Sequence, residues 1–172
     1  MLESRAFYYL RHGETDWNRE RRHQGQTDIP LNGTDRAQAR AAIEPLAGCG
    51  IATICCSPLS RARETAEIVN RRLGLPVVVI DALIECNWGV GEGQINAAWY
   101  EDWRRGGFLE GAEPHADFIE RSLAGINEAL ARPGPVLIVG HGGVYRAVKI
   151  HARLDIGFRL ANSVPVRHDP PT

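Results

Sequence analysis

Residues 136–143 read VLIVGHGG. Val136–Val139 are apolar in succession, the pattern of a strand covered on both faces, where neither row of side chains meets water. Glycines at 142 and 143 let the backbone approach a ligand closely, and a helix is expected to begin near Gly143. Working outward, Ile51–Cys56 is a second continuous apolar run, and Ala6–Leu10 and Val77–Ile80 are shorter ones. Helical segments lie between these strands. In Leu59–Leu73 the apolar residues Leu59, Ala62, Ala66, Val69 and Leu73 recur at alternating steps of three and four. Ser57 is expected to cap that helix, Pro58 to fill its first turn and Gly74 to end it. A second helix is predicted over His115–Ala131, with Ile119, Leu123, Ile126 and Leu130 facing inward and Pro133-Gly134 as its stop. An alanine-rich helix should follow Asn32–Thr34 and end or kink at Pro45. Strands alternating with helices predict an α/β, three-layer sandwich with a mainly parallel central sheet, and the 172 residues predict one domain.

The segment Asn87–Pro114 breaks this rhythm. It carries six glycines, three tryptophans and one short helix near Ile95–Arg104. Connections of that length are often functional. The tail His168–Thr172, with two prolines, is expected to fray.

Composition narrows the function. Twenty basic residues against 21 acidic ones argue against a nucleic-acid-coating protein. The chain has no run of about 18 apolar residues, which predicts no membrane partner. MLESRAFYYLRHG holds no long apolar segment before a small-residue cleavage site. Cys49, Cys55, Cys56 and Cys86 lack CxxC spacing and read as reduced thiols, which predicts a cytoplasmic protein. No histidine pair has HxxxH spacing, so a metal site is not expected.

Ligands of open parallel sheets bind beyond the carboxyl ends of the strands. Arg11, His12 and Gly13 follow the first strand. Ser57, Pro58 and then Arg61 follow the second, and His141, Gly142 and Gly143 follow the last. If these strands are parallel neighbours, two arginines, two histidines and two helix N-termini converge on one edge, and each N-terminus favours an anion. That set suits phosphoryl transfer, which needs an in-line nucleophile and positive charge around the equatorial oxygens. Arginine forks match phosphate and stay charged. An imidazole serves as nucleophile when one nitrogen donates to a carbonyl and the other is left neutral. Glu85, beyond Val77–Ile80, is the candidate acid; a phosphate dianion beside it would oppose its ionisation and keep a proton for the leaving alkoxide.

Five stretches together resemble the histidine phosphatase family, which includes the cofactor-dependent phosphoglycerate mutases. They are LRHGETDWN (10–18), HQGQTDIPLN (23–32), SPLSRARETA (57–66), LIECNWGVGEG (83–93) and GHGG (140–143). The resemblance spans about residues 6–164. It implies a phosphoglycerate-mutase-like fold and a phosphohistidine intermediate on His12. It further implies that Arg11, Arg61 and His141 bind the transferred group and that Glu85 is the acid/base. Asn18, Gln24 and Gly142 match phosphate-contacting positions, and no metal or organic cofactor is required. Two departures stand out. Asp35 occupies a position where the family commonly has glycine, and GAEPHADF (111–118) has Pro114 where serine is usual.

Only 56 positions separate Glu85 from His141. The mutases carry a longer insert there, so the resemblance favours the phosphatase branch acting on a small phosphorylated metabolite. A phosphoglycerate mutase-type phosphotransferase and a non-catalytic phosphate-ester binding protein are the alternatives, and the sequence allows a homodimer. Plainer readings stand beside the catalytic ones: Asn18 and Gln24 as loop braces, Glu85 as a solvated acid, and the three tryptophans as packing. His23, His115, His151 and His168 read as surface or packing residues, and RERR (19–22) as a solvated face.

Overall fold

A computed structural model describes residues 2–95, 98–152 and 160–169. In chain order the elements are β1 (Phe7–Arg11), α1 (Asp16–Arg19), α2 (Gly33–Ala41), α3 (Ile43–Leu46), β2 (Thr53–Cys56), α4 (Ser60–Leu73), β3 (Val77–Val79), α5 (Trp99–Arg104), α6 (His115–Leu130), β4 (Val136–Gly140), α7 (Gly142–His151) and β5 (Pro165–His168). Short 3-10 turns occupy Asp81–Leu83 and Gly89–Gly91.

The five strands form one sheet in the order β3-β2-β4-β1-β5. β3, β2, β4 and β1 run parallel, and β5 pairs antiparallel with β1. Side chains alternate across the sheet. Leu10, Ile54, Cys56, Leu137 and Val139 pack with Ala62, Ala66 and Val69 of α4. Phe7, Tyr9, Cys55 and Ile138 pack with Phe118 and Ile126 of α6 and Val144 and Val148 of α7. The result is the expected three-layer sandwich.

Several local expectations shift. β5 was not expected, and His168, assigned to a frayed tail, is buried, pairs with Phe7 and sits 4.8 Å from its ring. An alternating edge strand of four residues carries little periodicity to read. The rest of that tail, 170–172, lies outside the described residues. Pro45 does not end the alanine-rich helix. The break comes at Ala42, and Pro45 sits inside the short α3. In α6 the inward stripe is Phe118, Ser122, Gly125, Ile126, Ala129 and Leu130, rotated from the predicted one. The reason is Gly125, where a Cβ would lie 2.8 Å from Ala82 C, so the helix meets the 81–83 turn backbone to backbone. Gly74 ends α4 in the left-handed conformation, φ 64°, as predicted.

The four cysteines are free thiols, three of them buried. Burial pushes Cys55 up to about 12 and Cys56 up to about 11. Among the described residues, no helix is long and apolar enough to cross a membrane.

Candidate active site

Register decides the site. Arg11 aligns with Gly140 across β1 and β4, and Cys56 aligns with Val139 across β2 and β4. The His12 N–H donates to Gly140 O at 2.9 Å and the Ser57 N–H donates to Val139 O at 3.0 Å. The three strands therefore end level, and His12, Ser57 and His141 emerge side by side.

The His12 ring is buried, with Nδ1 2.6 Å from Gly13 O. A carbonyl only accepts, so Nδ1 carries the hydrogen and Nε2 keeps its lone pair. Burial, then the Arg61 and Arg11 charges, hold this imidazole well below its ordinary pKa. Burial is the larger cause, ahead of the two neighbouring cations. The backbone under His12 is braced: Thr65 Oγ1 accepts from Gly13 N at 3.1 Å, and Asn162 Nδ2 donates to His12 O at 2.8 Å. A Cβ on Gly13 would stand 3.0 Å from Asp35 Cβ and 3.1 Å from Asp35 O, a tight approach that glycine avoids.

His141 is fully buried, with its ring centroid 5.2 Å from that of His12. Its Nε2 lies 2.7 Å from Ser57 Oγ, while Nδ1 is buried without a partner. If the serine hydroxyl donates to Nε2, Nδ1 bears a hydrogen and is left as an unused donor. Ser57, assigned from sequence to capping a helix, thus orients His141 instead. Its Oγ also accepts from Leu59 N at 3.3 Å, but α4 begins only at Ser60, and Pro58 precedes it. The leading N–H of α4, from Ser60, donates to Asp28 Oδ1 at 2.9 Å. That helix end, expected to favour a bound anion, is therefore capped by a carboxylate from elsewhere in the chain.

Arg61, in the first turn of α4, is 1% exposed. It donates through one terminal nitrogen to Gly25 O at 2.7 Å and through the other to Thr27 O at 3.0 Å, and its Nε is buried without a partner. The carbonyls that hold it belong to a loop clamped by Glu92. That carboxylate accepts from Gln26 N at 2.8 Å, from Thr27 N at 2.9 Å and from the Thr27 hydroxyl. Arg11 donates to Leu160 O at 3.0 Å and lies against Gly142. Asn18 and Gln24 do brace the loop, through their oxygens. Asn18 Oδ1 accepts from Thr15 N at 3.2 Å, and Gln24 Oε1 from the Thr15 hydroxyl at 2.9 Å. Bracing by oxygen leaves the amide NH2 groups as donors, so the two readings are compatible.

Glu85 reaches the head of α7. Its Oε2 accepts from Gly143 N and its Oε1 from Cys86 N, both at 3.0 Å. A Cβ on Gly143 would collide with this carboxylate, whereas one on Gly142 would meet only ordinary contacts. Arg121 was missed from sequence, because a lone helix arginine gives no signal there. It pairs with both oxygens of Glu113, at 2.8 and 2.7 Å, and donates to Ala82 O and Ile84 O at 2.9 Å each, fixing the backbone that carries Glu85.

The excursion is packed rather than open. Trp88, Trp99, Tyr100 and Trp103 form an aromatic cluster that takes in His23, and His115 stands edge-on to Trp103 at 4.8 Å. RERR is not uniformly solvated, since Arg22 donates to Gly93 O at 2.9 Å and ties the excursion to the core of the chain. Among the described residues, no three His, Cys, Asp or Glu side chains are grouped to hold a metal.

Residues 7–168 match the histidine phosphatase superfamily (branch 1). The chain belongs to that superfamily. It is 40% identical over 146 residues to a protein of Bacillus subtilis named uncharacterized phosphatase PhoE, covering 83% of this chain and 75% of PhoE. It is 36% identical over 150 residues to the probable phosphoglycerate mutase GpmB of Escherichia coli, covering 78% and 68% of the two chains. Among solved structures, the histidine-phosphatase fold is shared with TTHB049 of Thermus thermophilus at a TM-score of 0.80 and 31% identity, covering 96% of this chain and 93% of the other. A mycobacterial glucosyl-3-phosphoglycerate phosphatase, in complex with VO3, aligns at a TM-score of 0.81 and 31% identity, with 95% and 90% covered. The site at the strand ends therefore belongs to a superfamily whose relatives carry both phosphatase and mutase names.

Proposed function

We propose that the protein is a metal-independent phosphomonoester hydrolase that works through a phosphohistidine on His12. The observation that carries this reading is one edge of the sheet holding a neutral imidazole with a free Nε2 beside two buried, unpartnered nitrogens, Arg61 Nε and His141 Nδ1. Buried polar atoms without partners cost stability, which an arriving phosphoryl group would recover.

In the first step His12 Nε2 attacks phosphorus and the bond to the leaving oxygen breaks. Glu85, carrying a proton, passes it to that oxygen. Arg11, Arg61 and His141 spread the charge of the transferring group, with Asn18, Gln24 and the Gly142 N–H as further donors. In the second step Glu85, now ionised, takes a proton from water, the water oxygen attacks phosphorus, and the N–P bond breaks to release inorganic phosphate and neutral His12. Fixed arginines supply the positive charge that a magnesium ion would otherwise bring. The short packed excursion favours water as acceptor over a retained second alcohol, and the phosphatase name of PhoE agrees.

The test is hydrolysis of p-nitrophenyl phosphate in excess chelator, with trapping of an acid-labile, alkali-stable phosphoenzyme. His12→Ala should abolish both. Turnover that survives this substitution identifies another nucleophile, and quantitative transfer of phosphate to an added alcohol instead of water identifies a mutase.

A further inference from the structure

Residues 160–163 take no part in the chemical steps proposed above, yet they touch the groups that do. Leu160 O accepts from Arg11 Nη1 at 3.0 Å, and the Ser163 N–H donates to Arg11 O at 2.9 Å. Asn162 Nδ2 donates to His12 O at 2.8 Å and to Asn18 Oδ1 at 3.5 Å. Ser163 is buried and has φ 53°, a left-handed backbone that is unfavourable for a residue with a Cβ. Such a conformation persists where the surrounding contacts fix it. The strand end that carries the nucleophile is thus gripped by a segment 150 positions later in the chain.

The direction of these bonds is forced, one after another. His12 O can only accept, so the Asn162 atom beside it is the NH2 nitrogen. That nitrogen has a second hydrogen to give, and it faces Asn18, whose atom there must be an oxygen. The Thr15 N–H imposes the same orientation, donating to that Asn18 oxygen at 3.2 Å in the capping box of α1. The 3.5 Å contact is long, so it acts through direction more than strength. A flipped Asn18 amide would set NH2 against NH2 at Asn162 and NH2 against N–H at Thr15. Two donors on one oxygen therefore fix the amide plane and leave the Asn18 NH2 turned away from both. The peptide joining His12 to Gly13 is held at both ends as well, its C=O by Asn162 and its N–H by Thr65 Oγ1 at 3.1 Å.

We propose that Asn162 is a positioning residue of the site: its NH2 ties the carbonyl of the nucleophile to the oxygen of Asn18, so that the Asn18 NH2 is presented to the phosphoryl oxygens in fixed register with His12. It acts on the substrate through these two residues only.

The proposal rests on the phosphatase reading, in which Asn18 contacts the transferred group, but is tested apart from it. Asn162→Leu keeps the shape of the side chain and removes both donors. Its kcat/KM for p-nitrophenyl phosphate should fall by about 10- to 100-fold, the scale for partners that orient a reacting group. Inorganic phosphate, titrated by calorimetry, should bind about 10-fold more weakly. A brace with a merely structural role would not couple to Asn18, so a double-mutant cycle decides. Added to Asn18→Ala, Asn162→Leu should change phosphate affinity by less than about 2-fold, the usual error of additivity. The same factor in both backgrounds overturns the proposal, as does parental phosphate affinity in Asn162→Leu. The parent protein answers without any substitution by NMR: phosphate should shift the side-chain NH2 signals of Asn18 more than those of Asn162. The reverse order overturns the proposal, because Asn162 would then be the ligand. A parent that binds phosphate but neither hydrolyses esters nor forms a phosphoenzyme refutes the phosphatase reading alone, and the cycle is still read in phosphate affinity. A parent that binds no phosphate overturns both.

Discussion

Replacing Gly143 by alanine tests the proposed acid role of Glu85. A Cβ built there lies 2.2 Å from Glu85 Oε1 and 3.0 Å from both Glu85 Cδ and Phe118 Cζ, against an ordinary contact of 3.4 Å or more. The carboxylate is the mobile partner and must retreat by about 1 Å, while Phe118 gives by a few tenths. Gly143 is helical, a backbone that alanine accepts, and alanine is favoured over glycine in a helix by about 1 kcal/mol. The fold should therefore survive, with a Tm within a few degrees of the parent. A displacement of about 1 Å at a reacting group costs on the order of 100-fold in rate, or about 2.7 kcal/mol in the barrier. The loss should depend on the leaving group. Under the proposed mechanism an alkyl phosphate needs the proton from Glu85, whereas nitrophenolate departs without it. Rapid-quench measurement of phosphoenzyme formation should show the large loss with an alkyl ester and a small one with p-nitrophenyl phosphate, where a burst of nitrophenol persists ahead of slow dephosphorylation. Equal losses with the two esters, or parental rates with both, would refute the placement of Glu85 as acid.

Other perturbations test the supports of the site. Ser57→Ala should lower kcat/KM by about 10- to 100-fold with little change in Tm, because orienting partners of a reactive histidine act at that scale; parental activity would show that His141 needs no orienting hydroxyl. Glu92→Ala strands the Gln26 and Thr27 N–H groups and loosens the carbonyls that hold Arg61. It should cost about 3 kcal/mol in urea unfolding and raise KM, and an unchanged midpoint would contradict the clamp. Asp35 is buried, and desolvation raises its carboxyl from 3.8 to about 6, opposed by the Asn32 N–H. The folded state then holds a proton that the unfolded state releases, so stability falls as pH rises from about 4 to about 6. By linkage, up to about 3 kcal/mol is missing above that range. Asp35→Asn should be more stable than the parent at pH 8 and equal to it near pH 3.5, and parallel stability curves would remove the argument. His12 and His141 act with the opposite sign. Both stay neutral in the fold well below 6.5, so protonation of the unfolded chain lowers stability as pH falls through about 6.5. His141→Gln should flatten that slope in a pH series of thermal melts, and an unaltered slope would count against a buried neutral ring.

Much of this was legible without coordinates. Continuous apolar runs identified β2 and β4, the three-and-four spacing identified α4, and Gly74 marked its end, because burial on both faces, helical pitch and left-handed backbone each leave a local signature. The residues after the strands could be assigned to one edge, since parallel strands place their carboxyl ends together. The short β5 and the true inner face of α6 could not be read. The first lacks a repeat, and the second is set by the contact between Gly125 and the 81–83 turn.

What the amino-acid order determines alone is the chemical inventory and its place on each element: His12, Arg61, Glu85 and His141 at element ends. Which atoms are free to react is decided by contacts in the folded chain, all but the one at His12 between residues far apart in sequence. Gly13 O selects the His12 tautomer, Ser57 turns His141, two carbonyls aim Arg61, and Arg121 and Gly143 set Glu85. These partners lie up to 84 positions apart in the chain, as Ser57 and His141 do. Hydrogen-bond direction depends on distance in space, and no spacing along the sequence encodes it.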